Sequence, residues 1–141
     1  MGGASPSGAS GGSGVYLLDS SVLILSLRGD SAVKSRVASV TTGYISSIVL
    51  GELYFGAYGS PTRKDAALKD VAAVMATVMV LAPDAVTAEI YGRIKQELKG
   101  KGFQMPDNDL WIAATAIQYD IMLAARDGHF DWIDGLKIEQ W

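Results

Sequence analysis

Four short strand-forming runs punctuate the chain: VYLLD at 15–19, GYIS at 43–46, VMVL at 78–81 and IMLAA at 121–125. Stretches long enough for one or two helices separate each run from the next. Strands joined through helices make right-handed crossovers, and those build a parallel sheet covered on both faces. The runs are largely continuous in apolar character rather than alternating, as expected of strands buried on both faces. A fifth strand at 136–138 follows a short helical turn at 130–133. The expected fold is therefore α/β, with three α/β/α layers around a central, mostly parallel sheet of four to five strands.

The intervening segments carry helix signals. Ser20 or Ser21 is placed to cap a helix over 22–27 that ends at Gly29, and Asp30 to cap a second one to about Ser39. Ser47 precedes a helix over 48–58, stopped by Gly59 and Pro61. Pro61 and Thr62 open a helix to about Thr77. Pro83 opens another to Lys99, and Pro106 with Asp107 opens the last, to about Tyr119. Residues 2–14 are only Gly, Ala, Ser and Pro. Such a segment buries no surface and reads as a flexible linker or fusion tail, so residues 15–141 are taken as one domain.

Composition narrows the chemistry. The 141 residues include no Cys and one His, which excludes disulfides, zinc–thiolate sites, a Cys nucleophile and multi-His metal centres. Two uncharged apolar stretches, 37–51 and 71–83, fall short of the roughly 20 residues that a membrane span needs. With no signal peptide visible, a cytoplasmic location is the default expectation. The formal charge of −3 argues at face value against a polyanionic partner.

The acids change that inference once they are placed on the strand map. Asp19 closes the first strand, and Asp127 lies two residues past the fourth. Glu52 sits early in the helix after the second strand, and Asp107 and Asp109 open the last long helix. In an open parallel sheet, functional groups gather at the carboxyl ends of the strands, where the strand order reverses. Asp19, Glu52, Asp109 and Asp127 are thus placed to converge. Carboxylates crowded together raise one another's pKa or hold a cation. All-oxygen donors suit hard ions, Mg²⁺ or Mn²⁺. Such ions activate water and stabilise in-line displacement at phosphorus, so phosphodiester hydrolysis is the implied chemistry. Of the 15 acids, four belong to this set, and the remaining 11 face 12 bases. The acidity is local, not spread over the surface.

The strings YLLDSSVLI (16–24), SSIVLGELYFGA (46–57), MPDNDLWIAATA (105–116) and AARDGHF (124–130) stand in one order and spacing. In this they resemble PIN-domain ribonucleases, most closely the VapC-type toxins of toxin–antitoxin pairs. The resemblance covers essentially all of 15–141 and rests on four separate motifs. It implies a PIN-like fold and Asp19, Glu52, Asp109 and Asp127 as the catalytic, metal-holding acids. It further implies Mg²⁺ or Mn²⁺ as cofactor, RNA as substrate, a cognate antitoxin and a homodimer, with the apolar helices at 48–58 and 66–77 offering surface. A hydroxyl after the first acid is common in the family, and Ser20 and Ser21 fit it. Many relatives have Thr two residues before the fourth acid. This chain has Ala125 there, which costs a hydroxyl contact but no ligand.

Neighbouring residues carry weaker expectations. Asp107 caps the last long helix or joins the water shell of a second metal, and Arg126 is a candidate phosphate contact. His129 reads as a solvated loop residue. Tyr54, Phe55 and Tyr58 read as core or interface packing rather than base stacking. Lys95, Lys99 and Lys101 form either an RNA track or an ordinary solvated face. A receiver-type signalling domain needs paired acids after the first strand, and an Asp-nucleophile phosphatase needs Asp where Ser21 stands, so both are disfavoured. A housekeeping RNA-processing nuclease and an inactive partner-binding scaffold remain the alternatives.

Overall fold

A computed structural model describes residues 14–141; the Gly/Ser-rich segment 1–13 lies outside the described residues. Gly14 already belongs to the fold. Its backbone takes a positive φ of 81°, and its carbonyl accepts from the Thr41 and Thr42 amides at 2.8 and 3.1 Å.

Five strands form one sheet: β1 (Val15–Leu18), β2 (Thr42–Ser46), β3 (Val78–Leu81), β4 (Met122–Ala125) and β5 (Ile138–Gln140). Every pairing is parallel, in the order β3-β2-β1-β4-β5. Six α-helices flank it: α1 (Ser20–Leu27), α2 (Ser31–Ala38), α3 (Ser47–Tyr58), α4 (Lys64–Met75), α5 (Ala85–Gly100) and α6 (Asp107–Tyr119). A 3₁₀ turn (Gly128–Trp132) precedes β5. This is the expected three-layer α/β/α arrangement. No helix among the described residues is long and apolar enough to cross a membrane.

The core lies where the central strands meet the helices. Leu17, Leu18, Ile45, Val49, Ile112 and Leu123 are essentially inaccessible to solvent. Burial on both faces holds for the inner strands but not at the edges. On β3, Met79 and Val80 are exposed because the strand has a neighbour on one side only.

Several element boundaries differ from expectation, each through local hydrogen bonding. The cap of α1 is Asp19, not Ser20 or Ser21, since its carboxylate accepts the Ser21 amide. Ser46 rather than Ser47 caps α3, its hydroxyl accepting from the Ile48 amide at 3.1 Å. Helix α4 begins at Lys64, because residues 61–63 form a turn in which the Ser60 hydroxyl takes the Arg63 amide. Asp84 and Thr87 build a capping box for α5. Strand β5 lies two residues later than read, at Ile138–Gln140, and the turn before it two residues earlier at its start.

The strand order decides where the site forms. The chain runs outward from β1 through β2 to β3, then returns to place β4 and β5 on the other side of β1. Between β1 and β4 the order reverses, and the two carboxyl ends are tied there by the Asp19 amide donating to the Ala124 carbonyl at 3.0 Å. The crevice expected of an open parallel sheet opens at this edge.

Candidate active site

Asp19 leaves β1 straight into this crevice. It is 5% exposed. One carboxylate oxygen, Oδ2, accepts the Ser21 hydroxyl at 2.6 Å, and the same hydroxyl accepts the Arg126 amide at 3.2 Å. Ser21 therefore orients Asp19 and ties α1 to the end of β4. The other oxygen, Oδ1, is buried without a hydrogen-bond partner. Glu52, on the second turn of α3, likewise has a buried, unpartnered Oε1. No cation pairs with it among the described residues, which removes the salt bridge as a reason for its burial. Two orphaned carboxylate oxygens are costly in an apolar setting and mark a place where a positive ligand belongs.

Asp109 completes the electrostatic picture. Its carboxyl is pushed up to about 6, first by burial and then by the negative charges of Asp19 and Glu52, with Asp127 adding to the rise. The His129 imidazole works in the opposite direction. Asp109 of α6 thus senses acids from β1, α3 and the segment after β4. Among the described residues, no three His, Cys, Asp or Glu side chains already close into a metal-holding group. The donor set nevertheless suits a hard divalent cation: oxygen-only, partly desolvated and unsatisfied at Asp19 Oδ1 and Glu52 Oε1.

Asp107 and Asp109 part company. Two residues on a helix are separated by about 200°, so they face opposite sides of the first turn of α6. Asp107 turns toward α5, where it accepts from Tyr91 Oη at 2.8 Å and Lys95 Nζ at 2.9 Å. Those two donors hold its carboxyl below the usual range. It takes no part in the acid cluster.

Arg126 is also diverted. Its guanidinium donates to the Trp141 carbonyl at 2.9 Å and pins the C-terminal residue. Arg126→Ala is expected to cost about 1 kcal/mol in a denaturant melt; a melt equal to that of wild type would show that the contact with Trp141 contributes nothing. The lysine patch is divided in the same manner, with Lys95 on Asp107 and Lys101 on Asp134 at 3.1 Å.

His129, read from sequence as a solvated loop residue, belongs to the site instead. Its Nε2 lies 2.7 Å from Asp127 Oδ2 and 3.9 Å from Asp109 Oδ2. The 3₁₀ turn that begins at Gly128 swings the imidazole back over the acids, and no periodicity in the sequence announces such a turn. Asn108 is a second residue that motif reasoning passed over. It lines a cavity of about 680 Å³ together with Ser20, Ser47 and Glu52. Its only sequence signal is its place between the two acids of PDND. Ala125 is fully buried in β4, and the hydroxyl of Ser21 makes the polar link between α1 and the end of that strand.

Known proteins resemble this chain along nearly its whole length. A Ribonuclease VapC2 from Rickettsia felis is 29% identical over 132 residues, covering 90% of this chain and 98% of the relative. The structure of VapBC2 from Rickettsia felis bound to a promoter DNA fragment superposes with a TM-score of 0.84 at 26% identity, covering 90% of this chain and 98% of the other. DNA-bound VapBC from Salmonella typhimurium gives 0.82 at 28% identity, covering 89% and 97%. The sheet order, the acids at its carboxyl edge and a PIN domain family model matching residues 16–136 lead to one assignment: the chain belongs to the PIN domain family.

Proposed function

We propose that the chain is a divalent-metal-dependent endoribonuclease acting as the toxin of a toxin–antitoxin pair. The observation that carries the reading is the pair of buried, unpartnered oxygens, Asp19 Oδ1 and Glu52 Oε1, beside an Asp109 carboxyl raised to about 6. Similarity along nearly the whole chain to proteins named Ribonuclease VapC supports RNA cleavage over other phosphodiester chemistry. Similarity to VapBC assemblies supports a cognate antitoxin as the partner that restrains it. Cytoplasmic RNA is the substrate pool, and the working unit is a homodimer.

Asp19, Glu52, Asp109 and Asp127 would hold Mg²⁺ or Mn²⁺. When bound, the ion supplies an activated water and offsets charge at the phosphorus. The protein's own groups prepare this. Ser21 holds the Asp19 carboxylate through Oδ2 and leaves Oδ1 free for the ligand. His129 steadies Asp127, which at 53% side-chain exposure is the least enclosed of the four. Ser20 and Asn108, in the cavity beside Glu52, supply a hydroxyl and an amide to receive the substrate.

The test is cleavage of total cellular RNA by the purified full chain, with 5 mM-scale EDTA as control (a concentration on the order of that used to strip carboxylate-held ions). Cleavage in Mg²⁺ or Mn²⁺, lost with EDTA and restored by adding metal, is expected. Cleavage that persists in EDTA, or none with either metal, overturns the proposal. Growth arrest on expression, relieved by a small co-purifying partner, separates a toxin from a housekeeping nuclease.

A further inference from the structure

Resting on the nuclease reading, we propose that Phe55 is a stacking platform for an unpaired nucleobase of the RNA next to the bond that is cut. Phe55 is 84% exposed, the most exposed large apolar side chain among the described residues. It is neither a core residue nor part of the aromatic pair beside it. Tyr54 and Tyr58 stack on each other with centroids 6.3 Å apart, and Tyr54 also reaches Met75. Phe55 has no aromatic partner among the described residues.

Its position is set by the helix. Phe55 follows Glu52 by three residues, so both side chains project from the same face of α3. They line one cavity with Ser20 and Asn108. Gly51 and Gly56 flank them on the helix, and a Cβ built at either glycine meets nothing within 4 Å. The absent side chains leave the surface beside Phe55 open.

Charge supplies the second argument. No Lys or Arg lines this cavity, while Glu52 does. Apart from the ion that the acids would hold, this cavity therefore offers phosphate no positive charge; Arg28 and Arg63 line a neighbouring groove that shares Glu52. Stacking is a contact that does not depend on charge, tolerates any base and suits unpaired RNA. An aromatic one helical turn from a pocket acid holds the base while the adjoining phosphodiester lies at the carboxylates. A protein partner covering Phe55 is the competing occupant.

The experiment uses the full chain and a single-stranded oligoribonucleotide carrying 2-aminopurine. Phe55→Ala is expected to raise KM about tenfold with kcat changed less than about threefold. Phe55→Tyr and Phe55→Trp keep the wild-type KM. Mn²⁺ affinity by calorimetry and solution mass by light scattering stay unchanged in all three. In Ca²⁺, wild type quenches 2-aminopurine and Phe55→Ala does not. An unchanged KM in Phe55→Ala while wild type cleaves overturns the platform and leaves the nuclease reading intact. A fall in solution mass that accompanies the KM change overturns it in favour of a protein interface. If wild type cleaves nothing but quenches through Phe55, the nuclease reading falls, and with it the place of the base beside a cut bond, while stacking of RNA on Phe55 itself is retained. Neither cleavage nor quenching removes both.

Discussion

Asp19→Asn is expected to lose RNA cleavage by about 10³-fold or more while folding normally. The substitution keeps the oxygen that accepts from the Ser21 amide and hydroxyl, so the cap of α1 survives. What it removes is the negative charge at a buried oxygen that has no partner in the protein. Without metal, its melting temperature should equal or exceed that of wild type, because repulsion with Asp109 is relieved. With Mg²⁺ added, wild type should gain stability by mass action and the variant should gain little. Asp19→Ala makes the contrast. It loses charge and cap together and should melt lower, by about 1 kcal/mol. A metal-free Asp19→Asn that melts below wild type would show that the carboxylate stabilises the fold rather than straining it.

Metal-free wild type should lose stability as the pH rises from about 4 to about 7, and Asp109→Asn should not share that loss. The Asp109 carboxyl is raised from 3.8 in the unfolded chain to about 6 in the native protein. The native state therefore holds a proton more tightly than the unfolded state. Stability from this source is complete below about pH 4 and disappears as the pH passes about 6. The rise corresponds to about 2 kcal/mol after allowance for the solvent that still reaches the side chain. In a domain of this size that is roughly 7 °C in melting temperature. At pH 7.5 without metal, Asp109→Asn should be the more stable protein by about that amount; at pH 4 the two should coincide. Saturating Mg²⁺ should reverse the order at pH 7.5, since the cation offsets the charge cluster in wild type alone. Parallel pH profiles for the two proteins would refute the cluster.

Much of this site is legible in the sequence for a physical reason. Apolar runs, caps and glycine stops act over a few residues, and a parallel sheet gathers strand ends at one edge whatever the strand order. Asp19 at the end of β1 and Asp127 after β4 were thus bound to share that edge. Glu52 and Asp109, at the starts of helices, follow for the same reason. Phe55 shows the limit of that reasoning. Near-helical spacing with Tyr54 and Tyr58 suggested core or interface packing; the core is excluded for Phe55, which is 84% exposed. Spacing does not say which side of α3 meets the sheet.

The directions of polar side chains show the same limit. Asp107 is drawn away by Lys95 and Tyr91 of α5, a helix that begins more than 20 residues earlier. Arg126 is captured by the carbonyl of Trp141, and Ser21 is recruited to Asp19 and the end of β4. His129 enters the site through a 3₁₀ turn that no hydrophobic period predicts.

The sequence by itself determined the strands, the helices, the parallel sheet and the set of acids at its carboxyl edge, because those depend on short-range propensity and patterning. Only the tertiary structure decided that β1 lies between β2 and β4, that Asp107 is taken up by Lys95 and Tyr91 of α5, and that His129 joins the acids. Strand order and side-chain direction depend on partners distant in the chain, and those partners exist only once the elements have packed.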